Sequence, residues 1–548
     1  MSRVSKKMPS KHSSEEVTNF MGGTSYTISP IQALKLVASS SMFGEPKYYQ
    51  KEESCHERPI VIGSCAKKML VIDGAGKLPS QYTLEAIDKA LAFDFKKTLE
   101  LASELRNEYN IRFVPQLIMV KAAMHPSRVE FDEKNPGFFS NVEMSVMKRA
   151  DEPAAQLACW LWLHGWKKNG IPSVLKRAWK KRVEMMTPYQ VSKYKNAETG
   201  LINLVRICHA CGDTVSELMK TGTVTIEETE KTWENLRSAG SSFLKILETI
   251  KMPHMALIRN LRNILNENPP AEVVDGICES LKKGASKGEQ FPFRYYSAKK
   301  EVAENCMDAA GASKILDALD ECIDISTDIL PKIKGRTAVL TDNSGSAWGA
   351  FTSEYGSRVI AEIDNISSVI AARQSDEGVV IKFGDDVKKF PVSKRDGVLT
   401  QAEKISADRD ADVGGGTENG IWLFFKEAIE KKIMYDNIFV FSDQQAGHGG
   451  LYGIGSSYRI AGSSKDFSIS ARYIDVLKLL EAYRSKVNPK VNFFTVQTAG
   501  YSNAIVPEFI YRGAVLCGWT GKETSFAAKL IEQWDEIEAA SSKQQKNN

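Results

Sequence analysis

The sequence predicts a mostly α-helical N-terminal part followed by an α/β domain with a doubly wound parallel sheet. Two observations support this prediction. Short amphipathic stretches separated by Pro, Gly and Asn fill the first three-fifths of the chain, and β-rich runs alternate with helical patterns after Lys332. Strands that alternate with helices typically form a parallel sheet with helices on both faces. We therefore expect a domain boundary near residue 335.

Length and composition indicate a globular protein of several domains. The chain has 548 residues, of which 43% are hydrophobic and 26% are charged. The longest apolar run, 157–163, is far shorter than the ~20 residues of a membrane span, and the polar N-terminus has no apolar signal segment. Nine cysteines without a framework spacing favour a reducing compartment. We expect a soluble cytoplasmic protein with flexible polar tails at 1–20 and 539–548.

Helical periodicity dominates the first part of the chain. Leu84, Ile87 and Leu91 recur at steps of three and four residues. Similar stretches follow at 114–124, 143–163, 173–186, 199–209 and 255–266. Short helices with brief breaks predict a stacked-helix solenoid, although no repeat of fixed period is present.

The second part contains alternating strands and helices. The β-rich runs are 337–341, 379–383, 437–441, 491–496 and 514–517, and the helical patterns between them are 357–372, 418–432 and 471–486. Ligands bind at the carboxyl ends of the strands in such sheets. Two of these ends carry acids, Asp342 and Asp443, so we expect a ligand site at this edge.

Oxygen-bearing side chains cluster in sequence at the same strand ends. Asp342, Ser344 and Ser346 form a DxSxS motif, Thr417 follows three glycines, and Asp443 ends a later strand. Such hard donors suit Mg²⁺. Their order resembles the metal-ion-dependent adhesion site of von Willebrand factor A-type domains. The alternative is a set of turns and helix caps. Because no His, Lys or Glu is fixed beside the motif, we expect a ligand anchor without a catalytic residue.

A basic segment is the most pronounced charge feature. Residues 167–195 contain nine cations and one acid, whereas residues 336–538 carry a net charge of −4. Like charges four residues apart on a helix repel one another, and a nucleic-acid phosphate backbone would relieve that repulsion. Trp166, Trp179, Tyr189 and Tyr194 lie among the cations and are candidates for base stacking. The alternative is a solvated helix face with its tryptophans in the core.

Cys208 and Cys211 form a CxxC pair within the next helical pattern. No second pair lies at the spacing of a zinc finger or ribbon, so a closed four-ligand zinc site is not supported. We expect instead a helical segment with two buried thiols.

Three segments resemble the Ro ribonucleoprotein autoantigen family. Ser192-Lys-Tyr-Lys195 followed by 203–209 (NLVRICH) is similar to the family's KYK…LLRLSH stretch, and 252–261 (MPHMALIRNL) is similar to MPLTALLRNL. Phe291-Pro-Phe293 falls where the family has HPF. Together with the A-type motif, the resemblance spans roughly residues 20–538.

The resemblance implies a TROVE module, a ring of HEAT-like helical repeats over 21–335, closed by the A-type domain over 336–538. It implies a non-catalytic protein that binds Y-like small noncoding RNA on a basic outer surface. Single-stranded 3′ ends of misfolded noncoding RNA would enter the ring during RNA quality control or processing. An exoribonuclease such as polynucleotide phosphorylase is then an indirect partner through the RNA, and a ring made by one chain implies a monomer.

Charge and resemblance together nominate one set of RNA-binding residues. The set is Lys176, Arg177, Lys180, Lys181, Arg182, Lys193, Lys195, Arg206 and His209. Among these, Lys193, Arg206 and His209 follow from the resemblance. The chain departs from the family's KYKQR, since Asn196 and Ala197 follow Lys195. A second hypothesis is a protein-interaction adaptor whose Mg²⁺ captures a partner's carboxylate. A metal-dependent hydrolase ranks last, because two-metal chemistry needs more clustered carboxylates.

Overall fold

The computed structural model describes most of the chain. The described residues are 14–18, 24–40, 55–62, 65–72, 79–164, 170–195, 200–226, 232–288, 290–345, 347–348, 350–353, 356–407, 413, 418–442, 444, 457–458, 469–470, 475–498, 503–518, 521 and 523–546.

The secondary structure follows the order that the sequence predicts, with helices first and alternating strands and helices later. In chain order the elements are β1 (Glu16–Thr18), β2 (Thr24–Thr27), α1 (Pro30–Ser40), β3 (Cys55–Ile62), β4 (Cys65–Ile72), α2 (Pro79–Phe93), α3 (Phe95–Asn107), α4 (Phe113–Met124), α5 (Arg128–Lys134), α6 (Phe138–Val146), α7 (Glu152–His164), α8 (Ser173–Glu184), α9 (Pro188–Tyr194), α10 (Leu201–Cys208), α11 (Asp213–Thr221), α12 (Trp233–Ser238), α13 (Phe243–Thr249), α14 (His254–Leu265), α15 (Ala271–Ala285), α16 (Pro292–Asn305), α17 (Ala312–Asp328), β5 (Ile333–Asp342), β6 (Ala350–Ser353), β7 (Gly356–Val359), α18 (Ile360–Arg373), β8 (Ser375–Phe383), β9 (Val387–Pro391), α19 (Val398–Ala407), α20 (Glu418–Glu430), β10 (Asn437–Ser442), β11 (Ser457–Tyr458), β12 (Ile469–Ser470), α21 (Val476–Lys486), β13 (Asn492–Gln497), β14 (Asn503–Ala504), β15 (Gly513–Cys517) and α22 (Glu523–Lys546).

The chain folds into two compact units. The helical unit comprises Pro30–Ala239 and Thr352–Gly356, and the sheet unit comprises Met1–Ser29, Gly240–Phe351 and Ser357–Asn548. The change from helices to strands that the sequence predicts near residue 335 is present, because β5 begins at Ile333. The units themselves divide earlier, at residue 239, so that α13–α17 belong with the sheet.

A buried arginine accounts for part of this earlier division. Arg373, at the end of α18, is 7% exposed and donates to Asp324 (2.8 Å) and Asp328 (3.2 Å) on α17. Gln374 donates its side-chain N–H to the carbonyl of Thr327 at 2.7 Å. A buried guanidinium is stable only when it is paired and hydrogen-bonded. These contacts therefore fix α17 to the helix that flanks the sheet.

The helical unit is built around short amphipathic helices. The N-cap of α3 is Asp94, whose carboxylate accepts the backbone N–H of Lys97 at 3.0 Å, and Leu99 and Leu105 face the core with no exposed surface. Helix α4 is buried on nearly all sides and packs against α3 and α7. A helix that is apolar all round belongs in the interior, so α4 is central to this unit.

The main sheet of the sheet unit has the strand order β15-β13-β10-β5-β8-β9 within the described residues. Neighbouring strands run parallel from β15 to β8, and only β9 pairs antiparallel, at the edge. Every residue of β10 and β13 is buried. Central strands that are covered on both faces have continuous apolar sequences, which explains why these strands can be recognised in the sequence.

Helices cover the two faces of this sheet. Leu340 of β5 lies in a core cluster with Phe425 of α20 and Leu480 of α21. The next residue, Thr341, points to the other face and donates to Oδ1 of Asn365 on α18 at 2.8 Å. The arrangement is doubly wound, as the sequence predicts, and it places the carboxyl ends of β5 and β10 side by side.

A second small sheet brings the start of the described chain to the sheet unit. β2 pairs antiparallel with both β1 and β14, and Ser25 donates its hydroxyl to the carbonyl of Ala504 at 2.9 Å. The sequence predicts a flexible tail through residue 20. Glu16–Thr18 differ from that prediction because they pair with β2, a contact that the polar local sequence does not indicate.

The end of the chain also differs from the predicted tail, since α22 continues to Lys546. Arg512 is 6% exposed and holds α22 by donating to Asp535 at 2.7 Å. No helix among the described residues is long and apolar enough to cross a membrane.

Candidate nucleic-acid interface and metal site

Helix α8 carries the densest part of the predicted basic segment. Its inner face packs into the helical unit through Val174, Leu175, Ala178, Trp179 and Val183. Its outer face presents Lys176, Arg177, Lys180 and Lys181, all exposed or half-buried. The apolar stripe fixes which way the helix faces, so these four cations line one solvent-facing surface, which we call the basic face.

The cations of the basic face are poorly neutralised. Lys180 lies 3.8 Å from Glu184, and no described residue forms an ion pair with Lys176, Arg177 or Lys181. Arg182 instead donates to the backbone carbonyl of Lys148. Unpaired like charges at helical spacing repel each other, and an external polyanion would remove that repulsion.

Trp179 does not belong to the exposed surface. Its side chain has no exposed area, and its indole N–H donates to Oε1 of Gln156 on α7 at 2.7 Å. The expectation that Trp179 stacks on bases is therefore wrong, because burial in the core and this hydrogen bond occupy the ring. Trp166 lies outside the described residues.

Helix α10 packs against α8 and carries two more predicted residues. Arg206 and His209 are both exposed, and His209 ends the helix in the left-handed conformation (φ 54°). The loop after α10 is fixed to the end of α8, because Glu184 accepts the backbone N–H of Cys211 at 2.9 Å. The structure thus brings the α10 pair and the basic face onto adjacent helices.

Two further exposed cations, Lys148 and Arg149, adjoin this region and were not predicted. Lys148 accepts from Arg182 of α8 through its carbonyl, and Arg149 donates to Tyr194 Oη of α9 at 3.3 Å. The sequence conceals them because Asp151 and Glu152 follow after one intervening residue, Ala150, and cancel their charge in any local count.

The acids that follow Lys148 and Arg149 are partly withdrawn from the surface. Glu152 is fully buried and accepts from Arg106 of α3 at 2.7 Å. Asp151 is 8% exposed and accepts from Arg112, and it also lies 3.1 Å from Arg149. Glu152 is paired with the buried Arg106, whereas Asp151 is paired with the half-exposed Arg112 and Arg149. Neither acid therefore presents an unpaired carboxylate beside Lys148, and the surface there is more basic than the linear sequence indicates.

The predicted residues of α9 have different surroundings. Lys193 forms an ion pair with Glu234, close to the start of α12, and its ammonium lies 5.7 Å and 5.5 Å from the ring centres of Tyr189 and Tyr194. Partial burial lowers the pKa of Lys193, but its contacts with Glu234 and the two tyrosines raise that pKa by more. Lys195 caps the end of α9 and is half-buried.

The CxxC pair differs from the two buried thiols that the sequence predicts. Cys208 is buried, and burial raises its pKa to about 11. Cys211 is exposed, and its thiol donates to Glu184 at 3.0 Å. The expectation of two buried thiols is wrong for Cys211, because α10 ends at Cys208 and the chain then turns outward.

The predicted metal site begins at the carboxyl end of β5. Asp342 has no exposed surface, and its two carboxylate oxygens accept from the Ser344 backbone N–H (2.9 Å) and the Ser442 hydroxyl (2.7 Å). Burial raises the pKa of this carboxyl, and the bonds from Ser344 and Ser442 oppose that rise. Asp342 is thus held in place at the carboxyl end of β5.

An amide pair that sequence reasoning missed positions the loop after Asp342. Asn343 and Asn365 exchange side-chain hydrogen bonds of 2.9 Å and 3.1 Å, and both are buried. Asn343 occupies the variable position of DxSxS, so the motif itself gives no signal for it. The pair anchors the loop to α18.

The described donors fit a hard cation in type. Asp342, Ser344 and Ser442 offer carboxylate and hydroxyl oxygens, which Mg²⁺ prefers. Ser346, Thr417 and Asp443 lie outside the described residues, so the complete five-residue set remains a prediction. No three His, Cys, Asp or Glu side chains gather as a metal-binding group in the part of the chain that the structure describes.

The two other sequence segments that resemble the Ro family both begin helices of the sheet unit. The 252–261 segment leads into α14, where Leu257, Ile258 and Leu261 are buried. The 291–293 segment starts α16 with a proline at its first turn. His254 and Tyr295 join these two helices through a 2.8 Å hydrogen bond. The segments are therefore accounted for by helix starts and core packing.

Comparison with known proteins gives a structural match but no sequence match. No protein-family model matches the chain, and no curated protein matches it by sequence. The chain is similar to the crystal structure of the Deinococcus radiodurans Ro (RSR) protein, with a TM-score of 0.54 and 14% identity. The match covers 81% of this chain and 93% of that one. The similarity confirms the predicted fold class, helical repeats with an α/β domain.

Proposed function

We propose that this protein is a member of the Ro family that binds RNA without catalysing a reaction on it. The observation that carries the proposal is the basic face of α8, where Lys176, Arg177 and Lys181 have no acidic partner among the described residues. The shared fold with a Ro protein and the three similar sequence segments support the same reading.

The chemistry of the basic face suits the phosphate backbone. Lysine and arginine donate charge-assisted hydrogen bonds to phosphate oxygens. Each phosphate that is neutralised releases condensed counterions, so affinity falls as salt rises. Arg206 and His209 on α10, with Lys148 and Arg149 beside α8, extend the surface beyond one helix. A surface of this kind reads shape and backbone rather than base sequence.

The finer part of the proposal concerns the RNA. We propose a Y-like small structured noncoding RNA on the basic face and single-stranded 3′ ends of misfolded RNA in the helical ring, in cytoplasmic RNA quality control or processing. An exoribonuclease would then meet the protein through the bound RNA. The family resemblance supports this part.

A direct test uses the whole protein and a fluorescent stem–loop RNA with a single-stranded 3′ tail. Affinity is measured by anisotropy at several salt concentrations, with crosslinking to locate the contacts. We expect a steep fall in affinity with salt, and crosslinks within 148–209. Absence of binding at low salt would overturn the proposal.

A second candidate function is a Mg²⁺-dependent adaptor, favoured by the fixed position of Asp342 beside Ser442. Asp342, Ser344 and Ser442, with Ser346, Thr417 and Asp443, would hold the ion. When bound, Mg²⁺ would offer a free coordination position to a carboxylate of a protein partner. The chain's own residues orient the site: Ser442 and the Ser344 N–H fix the Asp342 carboxylate.

The adaptor function is tested by thermal unfolding with and without millimolar Mg²⁺. We expect Mg²⁺ to raise the melting temperature of the wild type but not of Asp342→Asn. The matched control is Glu377→Gln, an exposed acid of β8 that removes the same charge. An equal Mg²⁺ response in wild type and Asp342→Asn would contradict metal binding here.

A further inference from the structure

Two donors and a third hydroxyl group lie around one carboxylate beside α9. Oε2 of Glu234 accepts from Lys193 Nζ and from Tyr189 Oη at 3.0 Å. It also lies 3.4 Å from Thr232 Oγ1, whose shorter contact is with Oδ1 of Asn235 at 3.0 Å. The hydroxyls of Tyr189 and Thr232 are also 3.0 Å apart. An ammonium and two hydroxyls therefore surround a single anionic oxygen.

This donor set does not depend on the anion being a glutamate. A phosphate oxygen carries comparable charge and accepts the same charge-assisted hydrogen bonds at similar distances. Tyr194 closes the other side of Lys193, with its ring centre 5.5 Å from the ammonium, and its hydroxyl accepts from Arg149 at 3.3 Å. A second cation thus stands beside the same pocket.

The glutamate is held by few other contacts. Helix α12 has six residues and none of them is buried, so little apolar area retains it. The side chains of Glu234 and Lys193 are 39% and 28% exposed. Exchange of such a half-exposed ion pair for another anion has a small free-energy cost, because exposed ion pairs contribute little to stability.

We propose that Tyr189, Lys193 and Thr232 form a phosphate-binding pocket that Glu234 fills in the RNA-free protein, and that an RNA phosphate replaces the Glu234 carboxylate on binding. The inference rests on the proposed RNA-binding function and adds an internal competitor to it. Lys193 then contributes to RNA affinity only after the competitor leaves. Glu234 limits the affinity and disfavours weakly charged ligands.

The test is Glu234→Gln in the full chain, with the fluorescent stem–loop RNA described above. We expect about threefold to tenfold tighter binding. The slope of log affinity against log salt should stay about the same, because Lys193 contacts a phosphate in the RNA complex of both proteins and the slope follows the number of neutralised phosphates. Glu248→Gln is the matched control, since Glu248 forms an exposed ion pair with Lys245 (3.1 Å) and carries the same charge.

Further variants separate the pocket from a general change in charge. In a Lys193→Ala background, Glu234→Gln should no longer tighten binding, and Tyr189→Phe should weaken binding in the Glu234→Gln background. If Glu234→Gln leaves affinity unchanged or weakens it, or if Glu248→Gln tightens binding equally, the pocket is overturned while RNA binding stands. Absence of wild-type RNA binding at low salt would overturn the RNA-binding function itself.

If Glu234→Gln does not fold, Glu234→Asp is the alternative variant. Its shorter side chain reaches less far toward Lys193, so we expect it to tighten RNA binding as well.

Discussion

The indole of Trp179 and the amide of Gln156 are joined by a 2.7 Å hydrogen bond inside the helical unit. Gln156 in turn donates to Oε1 of Gln116 on α4 at 2.7 Å. Helix α8 is therefore fixed to the core by a buried series of hydrogen bonds from Trp179 through Gln156 to Gln116. Trp179 thus has a structural role.

This relationship predicts the effect of Trp179→Phe. The substitution leaves the Gln156 carbonyl oxygen without its donor, which costs about 1–3 kcal/mol of unfolding free energy. The melting temperature should fall, and the salt slope of RNA binding should stay unchanged. Weaker RNA binding at unchanged stability would contradict the structural role and return Trp179 to the RNA surface.

Charge reversal on the basic face should weaken RNA binding. We expect Lys176→Glu with Lys181→Glu to lower affinity about tenfold or more at low salt and to make the salt slope shallower by about 0.7–0.9 for each lost phosphate contact. Thermal unfolding should change little, because both side chains point to solvent.

The matched control for this charge reversal is Lys332→Glu with Lys334→Glu, two exposed lysines in the sheet unit that produce the same change in net charge. Equal loss of affinity in both double variants would show that overall charge, rather than the basic face, attracts RNA.

The buried carboxyl of Glu143 on α6 should make stability depend on pH. Neither of its oxygens has a hydrogen-bond partner within the described residues. Burial raises the pKa of Glu143 to about 8, and the nearby Gln156 side chain lowers this pKa by a smaller amount. The unfolded chain releases this proton near pH 4.5, so between these values the unfolded state binds fewer protons and stability falls as pH rises.

Glu143→Gln removes this titration while keeping the shape of the side chain. At about 1.4 kcal/mol per pH unit, the variant should be more stable than the wild type by about 3 kcal/mol at pH 7. The two proteins should converge below about pH 4.5. Melting temperatures across pH 4–8 measure the difference, with Glu133→Gln, an exposed acid on α5, as control. A constant difference at all pH values would contradict the assignment.

The contacts of Glu508 should protect the N-terminal segment of the sheet unit from protease. Glu508 accepts the backbone N–H of Ser29 (2.5 Å) and its hydroxyl (3.0 Å). Glu508→Ala removes both bonds and should expose the 14–29 segment to protease, which limited proteolysis with N-terminal sequencing detects. Glu532→Ala, on the solvent side of α22, is the control. Unchanged cleavage would mean that the strand pairing of β2 with β14 suffices alone.

The sequence predicts the parallel strands well and the edge strand poorly. β10 and β13 are buried along their whole length and appear as apolar runs. β9 (Val387–Pro391) has an exposed side and two lysines, so it lacks that signal. Its antiparallel pairing with β8 depends on a turn and a neighbour rather than on its own residues.

Charge partners are the part of the candidate site that sequence reasoning cannot supply. Glu234 lies 41 residues beyond Lys193, and no local pattern joins them. Glu152 lies three residues after the exposed Arg149 in sequence, yet its side chain is buried against Arg106. A charge count along the chain treats both acids as local, whereas the fold decides which cation each one neutralises.

The pairing of β2 with β14 also has a consequence for the order in which the protein is made. Ser25 and Ala504, which bond across these strands, are 479 residues apart. At a translation rate of about 5–20 residues per second, the first strand leaves the ribosome on the order of 25–100 s before its partner. The sheet unit therefore cannot finish folding while the chain is being synthesised. During that interval the edge of β2 that later pairs with β14 is unpaired, and it must be prevented from pairing with strands of other chains.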